Sequence, residues 1–330
     1  MKTIKIAFLG FWKGFSEENN LFTNILKEKY NVEISSTPDV LFASPLGKPF
    51  EYLKYDCVRI LFTGEPLVPD FNVFDYAIGF DYLDFPDHLI GKRYYRFPLC
   101  FYNIDGVRRN TQALSYDDAF RELKNKTCFC NFIYGHRSAF GEREELLREI
   151  ERYKHVDSAG SFMNNMKDSV VVPYSKKIEF IRQYKFTIAC ESISYPGFTT
   201  EKLMNPFFAN SIPIYYGNPL VEKEFNINSF VRISQIDNIE SAINRIRELD
   251  ENDDLYIEAL TKNKLSQADY AEKLYSGLKE FLWAIFSQDK SSCYRRMPFY
   301  IQKQHEDYLK EYMRFSDSLG YKLYKKSMIR

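Results

Sequence analysis

Long apolar runs, metal-ligand spacings and net charge are all scarce in this chain of 330 residues. No run approaches the ~20 apolar residues that a membrane-spanning helix needs. The start, MKTIKIAFLGFWKGF, has lysines before an apolar run as a signal peptide does. The run Ile6–Trp12 is short and no small-residue cleavage site follows it, so it reads as a first buried strand. Lysine plus arginine equals aspartate plus glutamate, 45 each, so no global field draws in nucleic acid and any basic patch is local. Cysteine is sparse and spread out: Cys57, Cys100, Cys128, Cys130, Cys190 and Cys293. Most sit inside apolar runs, as small buried hydrophobes do. Cys128 and Cys130 share one face of an expected strand, but no CxxC or cysteine–histidine spacing is present. No metal site is expected, and the usage reads as a reducing compartment. The histidines His88, His136, His155 and His305 are scattered, with no His-x-x-His and no nucleophile elbow.

What is present points to two α/β domains. The length favours two domains over one. Aromatic content is high at 17%, which suits both packing and sugar stacking. Strand-like runs at Ile4–Leu9, Val32–Ser35, Val40–Ala43, Val58–Phe62 and Tyr76–Phe80 alternate with helix-length segments, of which Glu17–Tyr30 has one apolar face. That pattern predicts a parallel sheet covered on both faces. Asp81–Asp105 has no clear period. A second alternation follows: helix Asp117–Lys124, strand Phe129–Tyr134, helix Arg143–Tyr153, strand Phe230–Ile233, helix Asn238–Leu249, an acidic loop Asp250–Asp254, and mostly helix over Leu260–Phe286. The expected division is 1–120, 121–300 and a tail 301–330. Neither adjacent pair, Asp117–Asp118 or Asp253–Asp254, has an Asp-x-Asp spacing. The pattern allows two Rossmann-like domains facing across a cleft.

The organising stretch is Tyr184–Pro219, YKFTIACESISYPGFTTEKLMNPFFANSIPIYYGNP. Phe186–Cys190 and Ile212–Tyr216 are apolar runs, and Thr199–Asn210 between them has the pattern of a capped helix. The unit is a right-handed βαβ. Its helix N-terminus lies near the carboxyl end of the sheet, where free N–H groups suit a phosphate. Lys202 in the first helical turn is unfavourable unless an anion is near. It reads either as a phosphate ligand or as a solvated lysine. Pro206 inside the helix is expected to kink it. The last ten residues, YKLYKKSMIR, interleave basic with apolar side chains. They read either as a contact with an anionic membrane surface or as a solvated basic tail.

The stretch YKFTIACES…GFTTEKL…FFANSIPIYYGNP resembles the nucleotide-sugar signature of the α-1,3-fucosyltransferases, glycosyltransferase family 10, and its bacterial members most. RILFTGEPLVPDFNVFDYAIGFDYLDF followed by RYYRFPL resembles the family's acceptor-domain segment. Arg143 with EELLREIERYKHVDSAG, and later FNINSFVRI, fit the same pattern. The resemblance covers about residues 57–265. It implies a GT-B fold, GDP-fucose as donor, an acceptor glycan bearing N-acetylglucosamine, and inverting transfer without a metal in the chemical step. It implies no further cofactor, and the product it implies is a Lewis-type fucoside. The balanced charge speaks against a nucleic-acid partner, the cysteine usage reads as a cytoplasmic protein, and the basic tail reads either as peripheral contact at the inner membrane face or as a solvated tail. Glu65 matches the family's general base and follows the strand Val58–Phe62 across a Thr–Gly turn; the bland alternative is a loop carboxylate in water. Arg143 and Lys202 match the cations on the diphosphate. Glu201 matches a residue that holds ribose or sugar hydroxyls, and a glutamate there also suits the helix dipole. Glu191, Ser192 and Phe198 fall in the donor-site loop. Ser192 stands where relatives have asparagine, Phe198 where close bacterial relatives have tyrosine, and Phe62 replaces a tyrosine ahead of the base.

Overall fold

The structure, a computed structural model, describes residues 1–84, 92–167, 171–236, 239–296 and 300–328. His88 and the segment Phe85–Gly91 lie outside them, as do Asn238 and the last two residues. The chain forms two compact units, Met1–Phe97 with Ser276–Arg330, and Pro98–Tyr275. This division differs from the expected one at 120 and 300, because the chain from Ser276 onward returns to the first unit.

The first unit is built on β1 (Thr3–Leu9), α1 (Leu21–Lys27), β2 (Asn31–Ile34), β3 (Val40–Ala43), β4 (Val58–Phe62), β5 (Tyr76–Gly79) and β6 (Tyr94–Arg96). The strands form one sheet in the order β2-β1-β3-β4-β5-β6, and every pairing is parallel. The central strands β3, β4 and β5 are buried at every position, as a sheet covered on both faces requires. The helix expected over Glu17–Tyr30 is shorter. The carboxamide of Asn20 accepts from the N–H groups of Phe22 and Thr23, both at 3.0 Å, and so starts α1 at Leu21. The aperiodic Asp81–Asp105 holds β6, a strand too short for its alternation to register.

The second unit contains α2 (Ile104–Asn110), α3 (Tyr116–Lys124), β7 (Cys128–Phe132), α4 (Glu142–Tyr153), β8 (Val156–Ser158), α5 (Lys177–Ile181), β9 (Tyr184–Cys190), α6 (Glu201–Phe208), β10 (Ile212–Tyr216), β11 (Val231–Arg232), α7 (Glu240–Glu251) and α8 (Asp253–Leu260). Its sheet runs β8-β7-β9-β10-β11, again all parallel. Leu146 and Ile150 of α4, Ile246 of α7 and Ile257 of α8 enter its core, against Phe186 and Ile188 of β9. The expected acidic loop Asp250–Asp254 is helical on both sides of Asn252. Asp250 ends α7 in ion pairs with Lys154 and Lys185, and Asn252 caps α8 through Leu255 N–H. Acidic side chains there serve a lysine pair and a helix N-terminus instead of solvent.

Helix α9 (Tyr270–Ser287) leads back into the first unit, followed by α10 (Tyr300–Asp317) and α11 (Leu319–Met328). Phe281 packs on Tyr76 and Tyr95, Phe286 on Phe42, and the Trp283 indole donates to Ile25 O at 3.3 Å. A charged network completes the return. Asp75 is fully buried at the start of β5 and accepts from the N–H groups of Arg59, Arg295 and Arg296. Arg296 also pairs with Asp75 at 3.1 Å and with Glu306 at 2.9 Å, and Glu306 pairs with Arg59 at 3.1 Å. No helix among the described residues is long and apolar enough to cross a membrane.

Removing Asp75 leaves two buried arginines short of a counter-charge. Asp75→Ala is expected to destabilise the first unit by about 3–5 kcal/mol. Denaturant unfolding checks this; a midpoint equal to that of the parent would show that the network does not hold the returning segment.

Candidate active site

Both sheets begin with the same order, a second strand outside the first and a third inside it. In open α/β sheets the crevice beside the first and third strands, at their carboxyl ends, is where ligands sit. In the second unit that crevice is bordered by the loop after β7 and the loop after β9. Five of the six expected donor residues lie on the loop after β9 and the start of α6; the sixth, Arg143, begins its helix after the β7 loop.

Glu191 directly follows β9 and is fully buried. Its N–H extends the ladder to Tyr216 O at 2.9 Å. One carboxylate oxygen accepts from Thr200 N–H at 2.8 Å and the other from the Thr200 hydroxyl at 2.7 Å. Thr200 is the N-cap of α6, so the carboxylate sits at the helix's positive end. Lys202 Nζ lies 3.4 Å from Glu191 and 3.4 Å from Glu201. Burial pushes the Glu191 carboxyl up, and Lys202 opposes the push. Burial alone would lower Lys202, but the two carboxylates outweigh it and raise it, against repulsion from Arg143. The anion that Lys202's position demanded is therefore supplied first by the protein itself. Gly217 makes this possible: a Cβ there would stand 2.5 Å from Glu191 Cγ.

Arg143 is buried at the start of α4. Its guanidinium donates to the carbonyls of His136 at 2.7 Å and Cys190 at 3.4 Å, and lies 4.2 Å from the centre of the Tyr134 ring. Among the described residues no carboxylate is within ion-pair distance of it. Nearby, Glu144 pairs with Arg137 at 3.2 Å. Ser192 is half-buried, and its carbonyl accepts from Ala139 N–H at 3.0 Å, joining the two loops. Phe198 is 2% exposed, so its ring belongs to the interior of the loop. Asn218 pins that loop, accepting from Gly197 N–H and donating to the Thr199 hydroxyl.

Three participants were not singled out from the sequence. Tyr134 is buried, donates to Ile188 O at 2.9 Å and accepts from Cys190 N–H at 2.6 Å, so it supports both the Arg143 guanidinium and the end of β9. Thr200 carries the cap, and its place just before Glu-Lys was the available signal. Lys177, the first residue of α5, lines a water-sized cavity of about 10 Å³ with Tyr134 and Lys202.

Glu65 belongs to the first unit. The Thr63 hydroxyl donates to Glu65 O at 2.9 Å and accepts from Glu65 N–H at 3.2 Å, a local turn that fixes the backbone just past β4. The Glu65 side chain is exposed, with no hydrogen-bond partner among the described residues. Phe62 lies in the core against Phe22, 5.1 Å between ring centres, so the hydroxyl missing there is a matter of packing. Phe11, Trp12 and Phe15 cluster past the end of β1 at the same edge of the sheet. Among the described residues no three His, Cys, Asp or Glu side chains gather as a metal site would require.

The alpha-(1,3)-fucosyltransferase FucT N-terminal domain model matches residues 6–103, and the glycosyltransferase family 10 (fucosyltransferase) C-terminal model matches residues 123–280. The chain belongs to glycosyltransferase family 10. It is 30% identical over 312 residues to alpha-(1,3)-fucosyltransferase FucT of Helicobacter pylori, covering 83% of this chain and 63% of that protein. It is 31% identical over 244 residues to a putative fucosyltransferase of Acanthamoeba polyphaga mimivirus, covering 71% of this chain and 38% of that one. The chain thus spans less than two thirds of the length of either relative. A crystal structure of an alpha1,3-fucosyltransferase superposes with a TM-score of 0.73 at 28% identity, over 90% of this chain and 93% of that one. A crystal structure of alpha1,3-fucosyltransferase with GDP-fucose gives 0.66 at 26% identity, over 86% and 91%. The fold of this family 10 member is GT-B, made of two parallel-sheet α/β domains.

Glu201 gives the site a pH signature. Burial would raise its carboxyl, but Lys202 and Lys177 outweigh that and hold it below the ordinary range. Its ion pairing therefore stabilises the fold above the unfolded pKa of about 4.3 and is lost as pH falls through the folded value. In thermal unfolding, the parent is expected to exceed Glu201→Gln in stability near pH 6, with the gap closing towards about pH 3. A gap that does not change with pH would mean that Glu201 acts by packing alone.

Proposed function

We propose that this protein transfers L-fucose from GDP-β-L-fucose to the 3-hydroxyl of N-acetylglucosamine in an acceptor glycan such as N-acetyllactosamine, giving a Lewis-type product. The observation that carries the reading is the charge arrangement at the second unit's crevice: a buried Arg143, with no carboxylate in ion-pair distance among the described residues, together with Lys202 at the N-terminus of α6. Such a site favours an anion with several oxygens, as a nucleoside diphosphate has. The FucT relative and the GDP-fucose complex of a similar fold support fucose as the sugar.

In this reading the acceptor oxygen gives its proton to Glu65 and attacks the anomeric carbon from the face opposite the diphosphate. The bond from that carbon to the phosphate oxygen breaks, its electron pair leaves with GDP, and the configuration inverts. Charge grows on the departing diphosphate, so fixed cations stabilise the transition state more than the ground state. Arg143 and Lys202 supply that charge, so the chemical step calls for no metal. Glu201 holds ribose or sugar hydroxyls, and Ser192 borders the donor on the β9 loop. Glu65's exposed carboxylate, on a backbone fixed by Thr63, suits a base that meets its proton donor only when acceptor is bound. The six cysteines are free thiols, in keeping with a cytoplasmic setting.

Mass spectrometry of an acceptor panel incubated with GDP-fucose tests the reaction. The parent is expected to add one fucose to N-acetyllactosamine, and Glu65→Gln to lose about 10²–10⁴ of the rate with GDP affinity unchanged. Full activity in Glu65→Gln would remove Glu65 as the base. GDP binding without fucose transfer would favour another nucleotide sugar or a sugar-binding role.

The same reading includes peripheral membrane contact through α11. Leu319, Leu323, Tyr324 and Met328 are exposed there beside Lys322, Lys325 and Lys326. Co-sedimentation with phosphatidylglycerol vesicles is expected, weakened by salt and by replacing these lysines with glutamine, by about 1 kcal/mol for each. No recovery with either anionic or neutral vesicles would leave α11 a solvated helix.

A further inference from the structure

We propose that Lys177 is a third cation for the donor's diphosphate, delivered from a separate helix to the pair Arg143 and Lys202. The inference rests on the donor site proposed above and adds a residue outside the βαβ stretch that identified that site.

Lys177 opens α5, and α5 packs directly on α6. Its side chain and that of Lys202 line one small cavity with Tyr134, whose ring supports the Arg143 guanidinium. It is half-buried, and among the described residues no carboxylate lies within ion-pair distance of it. The adjacent Lys176 shows the contrast: it is exposed and pairs with Glu179 at 2.8 Å. Glu201 and, more weakly, Glu191 attract Lys177 from beyond ion-pair distance, while the close ion pairs of both carboxylates go to Lys202. Arg143, Lys177 and Lys202 thus face Glu191 and Glu201, leaving an excess of positive charge in a partly desolvated place. Burial of a cation without a counter-ion is unfavourable. A diphosphate removes the imbalance and gains charge-assisted hydrogen bonds. In agreement, burial lowers the Lys177 pKa, opposed first by Glu201 and then by Glu191, with repulsion from Lys202 and Arg143 adding to the lowering.

This arrangement trades apo stability for affinity, which separates a ligand-binding role from a structural one. Calorimetric titration with GDP and thermal unfolding without ligand would be measured for the parent, Lys177→Gln, Lys177→Arg and Lys202→Gln. Lys177→Gln is expected to bind GDP about tenfold more weakly, the loss of one charge-assisted hydrogen bond. Without ligand its melting temperature is expected to equal or exceed the parent's, because the desolvation cost of the cation is removed. Lys177→Arg is expected to keep most of the affinity. Lys177→Gln binding GDP within twofold of the parent, while Lys202→Gln is weakened, would overturn the role of Lys177 and leave the donor site standing. A lowered apo melting temperature in both Lys177 variants, with equal loss of affinity, would make it a structural residue. A parent that does not bind GDP at all would overturn the donor site itself.

Discussion

The carboxylate of Glu191 is the constraint on which the second unit's crevice depends. It is buried at the end of β9 and holds the first turn of α6 by both atoms of Thr200 that can donate. Without it, the N–H of Thr200 would be buried with no partner, and Lys202 would keep Glu201 as its one close counter-charge among the described residues, a costly state for both. The neighbouring features follow from its placement. Gly217 must lack a side chain so that Glu191 fits, and Asn218 next to it can then tie down the loop Gly197–Thr200. Lys202 is drawn inward to the carboxylate instead of extending into solvent, which brings it close enough to Arg143 to feel its charge.

A preorganised cationic site has an energetic cost in the absence of its ligand, and the fold meets it in two ways. Arg143 spreads its charge over backbone carbonyls and the face of Tyr134, all neutral partners that leave its net charge intact. Lys202 is neutralised in place by Glu191 and Glu201. The first unit uses buried charge differently. Its network of Asp75, Arg296, Glu306 and Arg59 is closed on itself and fastens the returning helices to the sheet. One set of buried charges is satisfied and structural, and the other is left in positive excess.

Much of the scaffold was legible in the residue pattern. The limits of β3, β4 and β10 coincide with the apolar runs Val40–Ala43, Val58–Phe62 and Ile212–Tyr216, because strands buried on both faces consist of little besides apolar residues. The short strands β6 and β8 were not legible, since three residues carry no period. The start of α1 was misplaced because Asn20 capping is a side-chain event within a polar run. Asp250–Asp254 looked like a loop by composition, yet Lys154, Lys185 and an N-terminal helix turn were waiting for those carboxylates.

By itself the sequence determined the alternation of strands and helices, the βαβ unit, the family, and which residue types stand at the ends of the strands. These are local properties, carried by spacing and by side-chain polarity a few positions apart. Only the tertiary structure decided which charges are matched. It brought Glu191 to Lys202, left Arg143 and Lys177 with no carboxylate in ion-pair distance among the described residues, turned Phe198 and Phe62 inward, and returned α9 to the first unit. Charge pairing and burial depend on distances between segments far apart in the chain, and periodicity carries no record of those distances.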